Sequence, residues 1–91
     1  MPRVASEAAA LIGRQISDRR KVMAITQDEL AAQSGIDSSN IRAYENGRSM
    51  PNIYSLVRIA FALGIEPGDL LNGLKLEHFP LTTEGAQTRR G

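Results

Sequence analysis

The chain predicts an all-α fold, a five-helix bundle in which two short helices form a helix-turn-helix. Three observations predict it. Apolar residues recur at helical spacing, as in Leu56, Ile59, Ala60 and Leu63. Helix-starting and helix-stopping residues punctuate the stretches between: Thr26 with Glu29, Gly35, Gly64, and the pair Glu66-Pro67. The one dipeptide that suggests a hairpin turn, Asn46-Gly47, has no strand-like alternation around it.

Each element follows in order. Residues 1–5 form a short arm carrying Arg3. Ser6 is placed to cap a first helix, with Glu7 at the positive end of the helix dipole. That helix runs to Met23 and sets Ile12, Ile16 and Met23 on one face. Thr26 and Glu29 form a capping box for a second helix, which Gly35 ends by taking a left-handed conformation cheaply. Asp37 or Ser38 caps a third helix reaching about Asn46. Asn52 caps a fourth, with Ile53, Leu56, Ile59, Ala60 and Leu63 at helical spacing, and Gly64 ends it. Glu66-Pro67 opens a fifth, short helix, with Asp69 near its positive end, and it stops near Asn72-Gly73. The bundle domain therefore spans 6–73. In the tail, 74–91, Leu74, Leu76, Phe79 and Leu81 are apolar, while Pro80 blocks a helix. Thr82 to Gly91 is polar and is expected to be disordered, with His78 simply solvated.

Composition excludes several classes of function. Ninety-one residues make one small domain burying roughly 60–65 % of its unfolded surface. Without Cys and with one His there is no disulfide, zinc finger, iron–sulfur cluster, thiol nucleophile or multi-His metal site. No cofactor is expected. No Ser/His/Asp set, paired carboxylate or phosphate loop has supporting context, so an enzyme is not expected. Aromatic residues are 4 %, too few for a single-strand stacking platform. No stretch of ~18 apolar residues exists to span a membrane, and no signal-peptide core is present, which points to the cytoplasm. Net charge is +1, so any case for nucleic acid rests on where charges sit. Nine of the 11 cations are Arg, the side chain suited to forked contacts with phosphate and guanine.

The informative stretch is Gln27 to Asn46. Two short helices around a Gly turn are most often an ordinary helical hairpin. The alternative is a DNA-binding helix-turn-helix whose second helix enters the major groove. Ala31 is small where helices must cross, and Ile36, Ile41 and Tyr44 pin the second helix to the first. Ser38, Ser39, Asn40, Arg42 and Ala43 point outward and are mostly short, where a purely structural helix more often carries Glu and Lys. Short side chains let a helix sit deep in a groove.

The blocks Thr26-Gln27-Asp28-Glu29-Leu30-Ala31, Gly35-Ile36, Tyr44-Glu45-Asn46-Gly47, Pro51, Ile59-Ala60 and Ala62-Leu63-Gly64 resemble the XRE family, the Cro and phage-repressor type of helix-turn-helix. The resemblance covers about Ile12 to Leu71. It implies a repressor-like fold, double-stranded DNA as partner, and roles residue by residue. Ser38, Ser39 and Ala43 fall at base-reading positions, with Arg42 beside them. Gln27 matches a residue that bonds a phosphate and braces a reading side chain. Asn40, Asn46, the Gly47 backbone and Arg48 fall at or beside phosphate-contacting positions. Arg20 and Glu45 match an internal ion pair joining the first helix to the third.

Three departures stand out. Ala24 occupies a helix end where the family usually has Gly or another residue tolerant of the left-handed region, which predicts strain or a reshaped end. The basic residue often found two after the Gly is Ser49, with Arg48 one earlier. The reading positions are short, so only Arg42 can fork to a guanine, worth about 1–3 kcal/mol of discrimination.

On the fourth helix Tyr54, Val57 and Phe61 form a second apolar stripe, Phe61 standing where the family commonly has a charge. A second subunit or the chain's own tail could cover it, and a homodimer is the expectation. The leading function is a transcription repressor binding a pseudo-palindromic operator as a dimer. The alternatives are a DNA-binding antitoxin with a protein partner at the tail, a restriction–modification controller, and a protein-interaction module that leaves DNA alone.

Overall fold

The computed structural model describes residues 6–81. Four α-helices follow in order: α1 (Glu7–Val22), α2 (Gln27–Ser34), α3 (Ser38–Glu45) and α4 (Ile53–Leu63). Two 3-10 segments come next, Pro67–Leu71 and Leu76–His78. The expected fifth helix is therefore corrected to a 3-10 segment, and the bundle has four α-helices. The cause is local. The segment has only five residues before Asn72-Gly73, Gly68 loses the most entropy on ordering, and the Asp69 N–H bonds the Glu66 carbonyl three residues back. The arm with Arg3 and the polar end from Thr82 lie outside the described residues.

Side-chain caps set the helix starts. The Ser6 hydroxyl accepts from the Ala9 N–H at 3.0 Å. Thr26 and Glu29 make the reciprocal capping box, each side chain accepting the other's N–H. Asp37, rather than Ser38, caps α3, and Asn52 caps α4 by accepting from the Ser55 N–H at 2.8 Å. α2 ends at Gly35 with φ 75°. α1 ends differently. Ala24 sits at φ 59°, where an L side chain costs about 1 kcal/mol or more. Met23 is exposed there instead of joining the face of Ile12 and Ile16.

The core lies where all four helices meet: Ile12 and Ile16 of α1, Leu30 and Ala31 of α2, Ile41 and Tyr44 of α3, and Leu56, Ile59, Ala60 and Leu63 of α4. Ile36 from the turn and Leu70 from the first 3-10 segment close it. Ile53, expected on the inward face of α4, is exposed instead and adds to the outer stripe. α1 reaches α3 through a glycine. A Cβ on Gly13 would stand 2.1 Å from the Tyr44 carbonyl oxygen, so only a hydrogen at this position lets the two backbones approach.

The described part of the tail, 74–81, does not cover α4. Leu74 packs partly on the core, but Leu76 is 86 % exposed, Phe79 and Leu81 are exposed, and so is Phe61, at 80 %. His78 is not simply solvated. It is half-buried, and its Nδ1 accepts the Lys75 N–H at 2.9 Å, closing the second 3-10 turn.

Candidate nucleic-acid interface

α3 is two turns long, with separate inner and outer sides. Ile41 is fully buried and Tyr44 nearly so, its hydroxyl 3.3 Å from that of Ser55 on α4. Ser39, Asn40 and Arg42 are exposed, and Ser38 and Ala43 are half-buried. At its far end Asn46 and Arg48 are exposed. Gly47, at φ 73°, turns the chain, letting the Arg48 N–H return to the Ala43 carbonyl at 3.0 Å.

A polar cluster fixes how α3 stands. Arg20 of α1 donates through Nε and one Nη to the two oxygens of Glu45, at 2.7 and 2.9 Å. Its other Nη donates to the Ile25 carbonyl at 2.9 Å, holding the chain between α1 and α2. The Gln27 amide donates to Glu45 at 2.9 Å. The pair's side chains are 13 % and 4 % exposed, so forked geometry and further bonds are what make burial tolerable. The bond from Glu45 raises the Arg20 pKa against the opposing effect of burial. A base whose pKa rises on folding stabilises below that pKa and loses this only as pH climbs through it, far into alkali. Gln27 thus braces Glu45, and through it α3, rather than a side chain on the reading face.

The outer side holds its own bonds. The Ser39 hydroxyl and N–H both donate to Asp37. Arg42 lies back along α3, one Nη 3.4 Å from the Ser38 hydroxyl and the other 3.5 Å from Asp28 at the start of α2. An open groove of about 400 Å³ between α1 and the end of α3 adds Arg14 and Lys21 beside Asn46.

Three residues here escaped sequence reasoning. Gly13 was signalled only by being a glycine inside a helix. Arg58 of α4 donates to the Ser34 carbonyl at 2.6 Å and lies over the Tyr54 ring at 5.7 Å. Its one signal is Gly35, where a Cβ would come within 2.9 Å of the guanidinium. Asp28 sits inside the block that carries the family resemblance, and its spacing carries no signal of its own. On α4, Tyr54, Val57 and Phe61 are exposed together, and Val57, Arg58 and Phe61 line a recess of about 310 Å³.

A four-helix core with a short polar-faced helix braced at its end, entered by a glycine turn, defines a helix-turn-helix protein. The match with known proteins agrees. A family model described as a helix-turn-helix domain covers residues 13–75. The chain belongs to this helix-turn-helix family and is of the XRE, phage-repressor type. It is 32 % identical over 78 residues to the ImmF control region 10 kDa protein of Bacillus phage phi105, covering 86 % of this chain and 82 % of that one. Among solved structures it resembles the restriction–modification controller C.AhdI from Aeromonas hydrophila, with TM-score 0.67 and 29 % identity over 68 % of this chain and 94 % of the controller. It also resembles the P22 c2 repressor in complex with synthetic operator 9T, with TM-score 0.65 and 33 % identity over 70 % of this chain and 97 % of the repressor. No helix among the described residues is long and apolar enough to cross a membrane.

Proposed function

We propose that this protein is a sequence-specific DNA-binding transcription repressor that docks α3 in the major groove of a pseudo-palindromic operator as a homodimer. The observation that carries this is the two-sidedness of α3: Ile41 and Tyr44 lock it to the core while Ser38, Ser39, Arg42 and Ala43 remain on the surface. Those four are the base-reading set. Gln27, Asn40, Asn46 and Arg48 contact phosphates, which position the protein without carrying sequence information. The likeness to a repressor bound to its operator supports the same reading.

A single short helix reads too few bases to find one site among ~10⁶ competitors, and two-fold pairing doubles the readout. Tyr54, Val57 and Phe61, exposed together and not covered by residues 74–81, are the surface for a second copy. The cytoplasm is the compartment where such a protein meets DNA. The likeness to C.AhdI favours a restriction–modification controller as a subtype, which a neighbouring methyltransferase gene would single out. Exposed Leu76 and Leu81 favour the antitoxin reading with a protein partner at the tail, which a co-transcribed toxin would single out.

Selection of random duplex DNA on the purified chain tests the proposal. The expected product is a pseudo-palindrome whose half-sites lie about one helical turn apart, ~34 Å. Failure to enrich any sequence, with the protein folded, overturns it and leaves the protein-interaction module.

A further inference from the structure

The reading face carries an acid that DNA binding alone does not call for. Asp28 is 79 % exposed at the first turn of α2, and its carboxylate stands 3.5 Å from the Arg42 guanidinium. Asp37, the neighbouring acid, is occupied as the cap of α3 by the Ser39 N–H and hydroxyl. Glu29 is occupied by the Thr26 N–H. Among the described residues Asp28 pairs with Arg42 alone. It serves neither the capping box nor the Arg20–Glu45–Gln27 cluster, and a carboxylate facing a polyanion repels it. Besides its place in the first turn of α2, where an acid suits the positive end of the helix dipole, it pairs with the only long cation among the four residues proposed to read bases.

We infer that Asp28 is a specificity-determining residue that acts through Arg42. This rests on the DNA-binding reading above. Arg42 is exposed, and a side chain of its length free to sample every rotamer would settle on any nearby phosphate. Asp28 holds one edge of the guanidinium while the Ser38 hydroxyl meets the other nitrogen, so Arg42 lies along the face of α3. Arg has five N–H donors, and two suffice for these contacts, which leaves donors for a base edge. On the correct duplex the held guanidinium meets a guanine fork. On any other duplex it meets none, and Asp28 still draws it away from the nearby phosphates. The direct repulsion of the backbone by Asp28 falls on both duplexes alike, so the discrimination comes through Arg42, denied a phosphate contact on wrong sequences.

The test uses the full chain, the duplex recovered by random selection on the wild type, and a scrambled duplex of equal length. Asp28→Asn keeps the side chain's shape and leaves the Thr26–Glu29 capping box in place, and thermal unfolding verifies the fold. Affinity for the scrambled duplex should rise about fivefold, the scale of one charge pair ~4 Å apart in water. Affinity for the selected duplex should rise less or fall, so the ratio between them drops severalfold. In an Arg42→Ala background the same substitution should leave the ratio unchanged, because Asp28 works through Arg42. Equal rises on both duplexes, no change on either, or a ratio that still drops without Arg42 overturns the inference. A wild type that binds no duplex overturns the DNA-binding reading itself, a result distinct from all three.

Discussion

Glu45 sits at the convergence of three helices. Arg20 from α1 and Gln27 from α2 both donate to its carboxylate at the end of α3. Replacing it with Gln keeps the shape and removes the charge, leaving a mostly buried guanidinium without its counter-ion. Glu45→Gln should cost about 3 kcal/mol, the scale for breaking a buried pair from one side. Thermal unfolding should show a midpoint lowered by roughly 10–20 °C. A change within about 0.5 kcal/mol would mean the pair adds no more than a surface contact. Arg42 and Arg48 separate in another way. Arg42→Ala should weaken the selected duplex by about 1–3 kcal/mol and relax preference at one or two base pairs. Arg48→Ala should weaken selected and scrambled duplexes about equally, because a phosphate contact carries no base information. Titrations of both variants against both duplexes check this, and the reverse pattern would exchange their roles.

Between elements, α1 meets α3 at Gly13 with no room for a side chain. Gly13 normally costs its helix about 1 kcal/mol relative to Ala. Here a Cβ would collide with the Tyr44 carbonyl, a backbone atom that cannot rotate away. Gly13→Ala should therefore destabilise by about 1–3 kcal/mol in chemical denaturation despite its better helix propensity. A stabilised variant would show that α1 can slide on α3. This contact also marks what was legible in the sequence. Local signals placed α1 to α4 well, because Ser6, Thr26, Asp37 and Asn52 each act on N–H groups two or three residues away. The segment at Pro67 departs from the expected helix because helix-starting signals say nothing of whether five residues can close an α-turn. Ile53 and Met23 have helical spacing with the core, but both lie at helix ends, where the neighbouring element no longer covers them. Of the candidate site, the outward residues of α3 were legible from their shortness. Gly13, Arg58 and Asp28 were not, since each acts on a partner at least 14 residues away in the chain.

For the molecule as a whole, the outer face of α4 is the exposed apolar surface that a second copy would cover. Ile53, Val57 and Phe61 recur every four residues, with Tyr54 alongside, and all four are exposed. Phe61→Glu should give a folded monomer with much weaker affinity for the selected duplex, while contact with scrambled DNA persists. Analytical ultracentrifugation with a parallel DNA titration checks both parts. Because Phe61 has little burial to lose, unfolding of this variant would contradict the arrangement described. A wild type monomeric at tens of micromolar, a range corresponding to roughly 6–7 kcal/mol of association, would assign the stripe to another partner.

The alternation of inner and outer positions along α3 bears on how such a protein diversifies. Ser38, Ser39, Arg42 and Ala43 have no share in the central packing, whereas Ile41, Tyr44 and Glu45, interleaved with them, carry the helix's attachment. Folding therefore constrains one set and leaves the other open to drift. On the base-reading roles proposed above, a lineage can rewrite those four letters one at a time, each intermediate still folding, and acquire a new preference without passing through a collapsed form. A library randomised at the four positions alone would retain near-parental melting behaviour throughout, whereas one randomised at Ile41 and Tyr44 would yield mostly unfolded chains.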